Sequence, residues 1–243
     1  MARISLASLA ALAGLVLLAP ATGAATAANV HQRHAARCGH SSHLRGARRA
    51  SRRSARCPAR RRASHHVPRH LPTALPAGAL PDAQGRCQNA GLAPSPADVA
   101  LVRLAVLCLI NRERIGHHEA PLRPDTRLTD AAQSHTESMA LGNYFEHDGP
   151  RGDTPLSRVR STGYIYSSRL GYEIGENIGW GTLWLGTPKA IVSAWMASAG
   201  HRANILDPRF RDTGVGVSPH PPGSLARGAR GGVYTQDFGV IVG

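Results

Sequence analysis

Carboxylates are scarce in this 243-residue chain, and the shortage is local: fifteen Asp and Glu face twenty-nine Lys and Arg. From His31 to His70 there is no acidic residue, against twelve arginines and seven histidines. That stretch also lacks Phe, Tyr and Trp, which excludes a hydrophobic core of its own and the aromatic platform on which single-stranded nucleic acids stack. Beyond the N-terminus no apolar run approaches the roughly 20 residues that a membrane-spanning helix needs, so a downstream anchor is not expected. The chain has no internal repeat and no His-Glu-x-x-His helix that would set two metal ligands side by side.

What is present points to export. Met1-Ala-Arg3 is a short basic start, Leu6 to Ala19 is apolar and uncharged, and Ala25-Thr26-Ala27 fits a small-residue cleavage site. Residues 1–28 therefore read as a secretory signal peptide, giving a secreted, extracellular chain with no transmembrane anchor after cleavage. Oxidising surroundings make Cys38, Cys57, Cys87 and Cys108 candidates for disulfides. The net charge of +14 invites a nucleic-acid reading, but from Asp82 onward sixteen Lys and Arg meet fifteen Asp and Glu. The charge belongs to residues 29–81, which read as a disordered spacer, first Arg/His-rich and then Pro-rich from Leu71 to Pro81. As a solvated arm it is a tether. As a binding element its expected partner is an anionic cell-surface polymer or lipid rather than nucleic acid. Pairing of Cys38 with Cys57 stays open, and His65-His66 read as exposed.

Residues 82–243 suit one domain with a single sizeable core. Ser95, Pro96 and Asp98 carry helix-start chemistry ahead of the apolar run Val99 to Ile110, and Gly116 is placed to end that helix. A bridge from Cys87 to Cys108 would staple the incoming chain to it. Leu128, Ala131, Ala132, His135 and Met139 recur at helical steps as far as Gly142, and His135 in that stripe reads as a hydrogen-bonded core residue. Thr154-Pro155 opens a short helix; Thr187-Pro188 opens another, which buries Ile191, Val192 and Trp195 and ends at Gly200. Thr213 to Val217 and Gly232 to Phe238 alternate as the strands of an antiparallel hairpin.

These residues also carry a resemblance. Asn143-Tyr-Phe-Glu-His147, Gly175-Glu-Asn-Ile178, Trp195-Met-Ala-Ser-Ala-Gly-His-Arg-Ala-Asn-Ile-Leu206, and more weakly Leu109 to Arg114, Pro121-Leu122 and Tyr234 to Phe238, resemble the CAP superfamily of cysteine-rich secretory, antigen 5 and pathogenesis-related proteins. The likeness runs from about Ala97 to Gly239 and is nearest the bacterial SCP-like branch. It implies an α+β fold, a three-layer α-β-α sandwich with an antiparallel sheet between helices and a solvent-filled cleft.

It further implies that His147 and His201 face one another across the cleft with Glu176 as acidic partner. That ligand set suits a divalent cation, zinc above others, with Glu176 as candidate general base. Ser198 stands where many relatives carry a second glutamate. Glu146 and Asp237 are the other carboxylates nearby, Asp237 reading either as an exposed or supporting strand residue or as a further ligand. Asn177 and Asn204 read as loop ties, Trp180 and Trp184 as core or cleft wall. The preferred function is a secreted binding module for a cation and a lipid, cell-wall or peptide ligand. The alternatives are a metal-assisted hydrolase and a scaffold without cleft chemistry.

Overall fold

The computed structural model describes residues 74–242; the expected signal peptide, the Arg/His-rich spacer, Cys38, Cys57 and His65-His66 lie outside them. Helix α1 (Val99–Gly116) starts three residues later than Pro96, because Ser95 hydrogen-bonds Asp98 and the two close a separate turn. Its left-handed terminator is His118, at φ 64°, not Gly116. Residues Ala105 to Ile110 are buried around its circumference, as an apolar run of that length requires. The bridge between Cys87 and Cys108 is formed, and closing 21 residues of sequence contributes about 3 kcal/mol on chain-entropy grounds. The end of the Pro-rich stretch packs on the same helix, where Ala79 is fully buried and its carbonyl accepts from Asn111.

Helix α2 (Thr126–Gly142) buries the expected stripe. Asp125 caps it by accepting from the N–H groups of Arg127 and Leu128, and Asn143 ends it in the left-handed region. Helix α3 (Pro155–Ser161) has a capping box between Thr154 and Ser157. The helix read from Thr187 to Gly200 is α4 (Pro188–Ala197), which ends earlier, where Ser198 turns extended; a further helix that was not expected, α5 (Ala199–Leu206), follows at once. Gly200 thus lies inside the first turn of α5 and ends nothing. A four-residue helix, α6 (Gly223–Ala226), follows.

Strands β1 (Arg123–Pro124), β2 (Gly171–Thr182), β3 (Asp212–Ser218) and β4 (Gly231–Val242) form one sheet in the order β1-β3-β4-β2. All pairs are antiparallel except β1 with β3. The expected hairpin is β3 and β4. Strand β2 had no strand-like sequence, since Gly171, Gly175, Gly179 and Gly181 interrupt any apolar alternation.

Alternate residues of the sheet supply two separate cores. Val215, Val217, Tyr234 and Phe238 pack with α1, α4 and α5. On the other face Ile178, Trp180 and Val233 meet α2, while Ile174 and Ile241 meet the α2 and α3 cluster. The result is helix, sheet, helix. Helix α2 lies so close to β3 that a Cβ at Gly214 would sit 2.1 Å from the backbone of Leu128, so only glycine permits that approach.

Candidate functional site

Strand β2 is an edge of the sheet, and the candidate site is built around that edge. Glu176 lies on β2, opposite Asp237 of β4, with its side chain on the α2 and α3 side. His147 comes from the loop after α2, and His201 from the first turn of α5 in the opposite layer. Glu176 is on a strand, within β2. Asn177 and Asn204 fix the relation between strand and helix: Asn177 Nδ2 donates to the carbonyl of His201 at 3.2 Å, and Asn204 Nδ2 to Asn177 Oδ1 at 2.9 Å and to the carbonyl of Glu176 at 3.2 Å. They tie two elements together rather than a loop to itself.

The centre of the arrangement is a residue the sequence reading passed over. Arg158, on α3 and 6% exposed, donates from Nη2 to Glu176 Oε2 at 2.7 Å and to the carbonyl of His147 at 2.9 Å. Its Nη1 reaches Asp153. The other carboxylate oxygen, Glu176 Oε1, accepts from His147 Nδ1 at 2.8 Å. Burial alone would raise the pKa of Glu176, but the His147 hydrogen bond and the Arg158 charge hold it below the ordinary value. An ionised Glu176 has no proton to give, so Nδ1 of His147 carries a proton, and Nε2 has no protein partner among the described residues.

His201 repeats the pattern with a neutral partner. Its Nδ1 lies 2.7 Å from Ser198 Oγ, and its Nε2 is buried with no hydrogen-bond partner among the described residues. A proton on Nε2 would be a buried unsatisfied donor, costing about 1–3 kcal/mol, so the proton belongs on Nδ1 and donates to Ser198. Burial, and then the nearby His147, bring the pKa of His201 down to about 4. Both imidazoles therefore turn Nδ1 to a fixed partner, Glu176 for His147 and Ser198 for His201.

The three expected ligands do not form a three-ligand set. Both oxygens of Glu176 are taken, by His147 and by Arg158, which removes it as a free ligand and as a free general base. Among the described residues no group of three His, Cys, Asp or Glu side chains is arranged to hold a metal ion. Of the two imidazoles, His201 has its Nε2 orphaned and buried among the described residues, and His147 has the Glu176 carboxylate behind it at Nδ1. Asp237 is buried, not exposed. Burial and the adjoining Glu176 charge push it well above the usual carboxylate range, and neither of its oxygens has a hydrogen-bond partner among the described residues. Glu146 is exposed, and its carbonyl accepts from the fully buried His135, a core histidine as expected. Trp180 and Trp195 are core, but Trp184 is 64% exposed. His117 and His118 are exposed, while Arg202 donates to the Met196 carbonyl and meets no carboxylate among the described residues. The Arg158 role had no signal in the sequence, because one arginine on a short capped helix reads as a solvated one.

A three-layer domain with a histidine–carboxylate chain wrapped around the sheet edge is the class this structure defines. Residues 107–238 match the family described as CAP, the cysteine-rich secretory protein family, and the chain belongs to it. It is similar to the uncharacterized protein YkwD of Bacillus subtilis, 34% identical over 144 residues that cover 59% of this chain and 49% of that protein. It is also similar to the uncharacterized membrane protein YlbC of the same organism, 31% identical over 46% of this chain and 30% of that one. The matched stretch thus spans half or less of these relatives. Among solved structures, an extracellular protein containing an SCP domain from Bacillus anthracis is 27% identical, with a TM-score of 0.43 over 58% of this chain and 40% of that one.

Two outcomes follow from the buried chain. Replacing Arg158 with Met strands an ionised Glu176, and urea denaturation should show a loss of about 3–5 kcal/mol, partly recovered when Glu176→Gln is added; a loss near zero contradicts the pairing. His201 has a folded pKa near 4, below the 6.5 of a free histidine. Its contribution to stability is complete above pH 6.5 and is lost as pH falls from there to about 4, because the unfolded chain then binds the extra proton. His201→Gln should flatten that part of the stability profile, and an unchanged slope would place the acid sensitivity elsewhere.

Proposed function

We propose that this chain is an extracellular binding module whose ligand seat is the Nε2 pair of His147 and His201, with a divalent cation, zinc above others, as the first occupant. The observation that carries the reading is the matched pinning of both imidazoles, by Glu176 at 2.8 Å and by Ser198 at 2.7 Å, with His201 Nε2 left buried and unpartnered. Such an atom is unfavourable as it stands and becomes satisfied once a cation or a ligand proton meets it. Two imidazoles suit zinc-like ions, and a cation there would supply positive charge to carbonyl, carboxylate or phosphoryl oxygens of a lipid, wall or peptide ligand.

The chain's own residues do the rest. Arg158 neutralises Glu176 and holds the His147 loop, Glu176 fixes the His147 tautomer, and Ser198 fixes that of His201. Extracellular placement is supported by the signal-peptide pattern of residues 1–28 and by the Cys87–Cys108 bridge. A hydrolase has less support, because both oxygens of Glu176, the candidate base, are engaged by His147 and Arg158.

Zinc chloride titrated into chelator-treated full chain tests this by calorimetry. The seven histidines between His31 and His70 give a background common to all variants, so the result to read is a difference. The double variant His147→Ala/His201→Ala should lose one zinc equivalent, and Glu176→Gln should weaken that equivalent by roughly 10–100-fold. Identical isotherms for wild type and double variant would overturn the proposal.

A further inference from the structure

Where β2 ends, the chain presents Leu183 and Trp184 to solvent, 58% and 64% exposed. No other two consecutive large apolar residues are so exposed among the described residues. The presentation is enforced. Leu183 holds φ 51°, a region unfavourable to any residue with a side chain, and its N–H donates to the carbonyl of Arg230 at 2.7 Å. The Trp184 carbonyl accepts from both the N–H and the hydroxyl of Thr187. Beneath the tip the backbones are in direct contact: a Cβ at Gly181 would meet the Leu185 carbonyl at 2.3 Å, and one at Gly231 the Gly181 carbonyl at 2.0 Å. Tyr234 closes the base by donating to the Gly186 carbonyl at 2.6 Å. The tip has no room to fold inward, so its apolar side chains stay out.

The surroundings are cationic. Arg230, whose carbonyl holds Leu183, Arg227 three residues before it, and Lys189 in the first turn of α4 are exposed, and none of them pairs with a carboxylate among the described residues. Residues 177–206 and 213–236 contain no Asp or Glu. A sugar polymer could stack on Trp184 but would offer Leu183 and the cations nothing, and a soluble polyanion would leave Leu183 and Trp184 wet. A surface with phosphates outside and hydrocarbon beneath suits every one of these groups, since indoles settle at the headgroup level and each nearby cation is drawn to anionic lipid.

We propose that the Leu183–Trp184 tip docks the domain on an anionic lipid surface, with Lys189, Arg227 and Arg230 contacting the headgroups. The inference is independent of whether the histidine pair takes a cation. It is also distinct from attraction through the Arg-rich arm, which would leave Trp184 in water.

Tryptophan fluorescence of the full chain separates the cases, because Trp180 and Trp195 are buried and only Trp184 can respond. With vesicles of phosphatidylglycerol and phosphatidylcholine, Trp184 emission should shift to the blue and be quenched by brominated acyl chains. With phosphatidylcholine alone neither should occur. Trp184→Ala should abolish the quenching, and Leu183→Ser/Trp184→Ala should lower partitioning at least fivefold with an unchanged circular dichroism spectrum. Binding without quenching assigns attachment to the arm and overturns the proposal. So does no binding, or protection of Trp184 by a soluble polysaccharide or polyanion but not by vesicles.

Discussion

A single buried ion pair, Arg158 with Glu176, organises the candidate site. Taking a carboxylate out of water costs several kcal/mol unless its charge is met at close range and its lone pairs are used. Here Arg158 meets the charge at 2.7 Å and His147 uses the other oxygen. The same guanidinium holds the carbonyl of His147, so the loop position, the ring orientation and the carboxylate charge are coupled through one side chain. Removing any of the three leaves the other two wrongly satisfied.

The pair works because of where β2 lies. An edge strand offers one side to β4 and leaves the other open, and this chain covers the open side with elements from both helical layers. The loop after α2 brings His147 around one face, and α5 brings His201 around the other, with Asn177 and Asn204 joining strand to helix. Side chains distant in sequence thereby share a neighbourhood without a metal-binding helix. The break at Ser198 matters for the same reason: it ends α4, starts α5, and leaves its hydroxyl 2.7 Å from His201 Nδ1.

Much of the fold was legible because periodicity reports burial. The α2 stripe, the apolar run of α1, the capped start of α3 and the β3–β4 hairpin were read at or near their observed positions, and Cys87 with Cys108 was read as a staple. Strand β2 was not, because its glycines make room for neighbouring backbone and indole and so erase the apolar alternation that marks a strand. The helix break at Ser198 was missed because Trp195 to Leu206 has no proline to signal it. Of the site, the resemblance supplied His147, His201 and Glu176. It did not supply their division of labour, which depends on Arg158 and on which nitrogen of each ring faces an acceptor. Those are properties of three-dimensional proximity, and composition carries no trace of them.

The account depends on His147 being held in one tautomer by an ionised, Arg158-paired Glu176. Nitrogen-15 NMR of the imidazole rings at neutral pH measures this directly. The expected result is a proton on Nδ1 of His147, with the Nδ1 signal shifted when the charged acceptor is removed in Glu176→Gln. A His147 ring protonated at Nε2 with Nδ1 bare, or averaging between the two tautomers as a free histidine does, would contradict it.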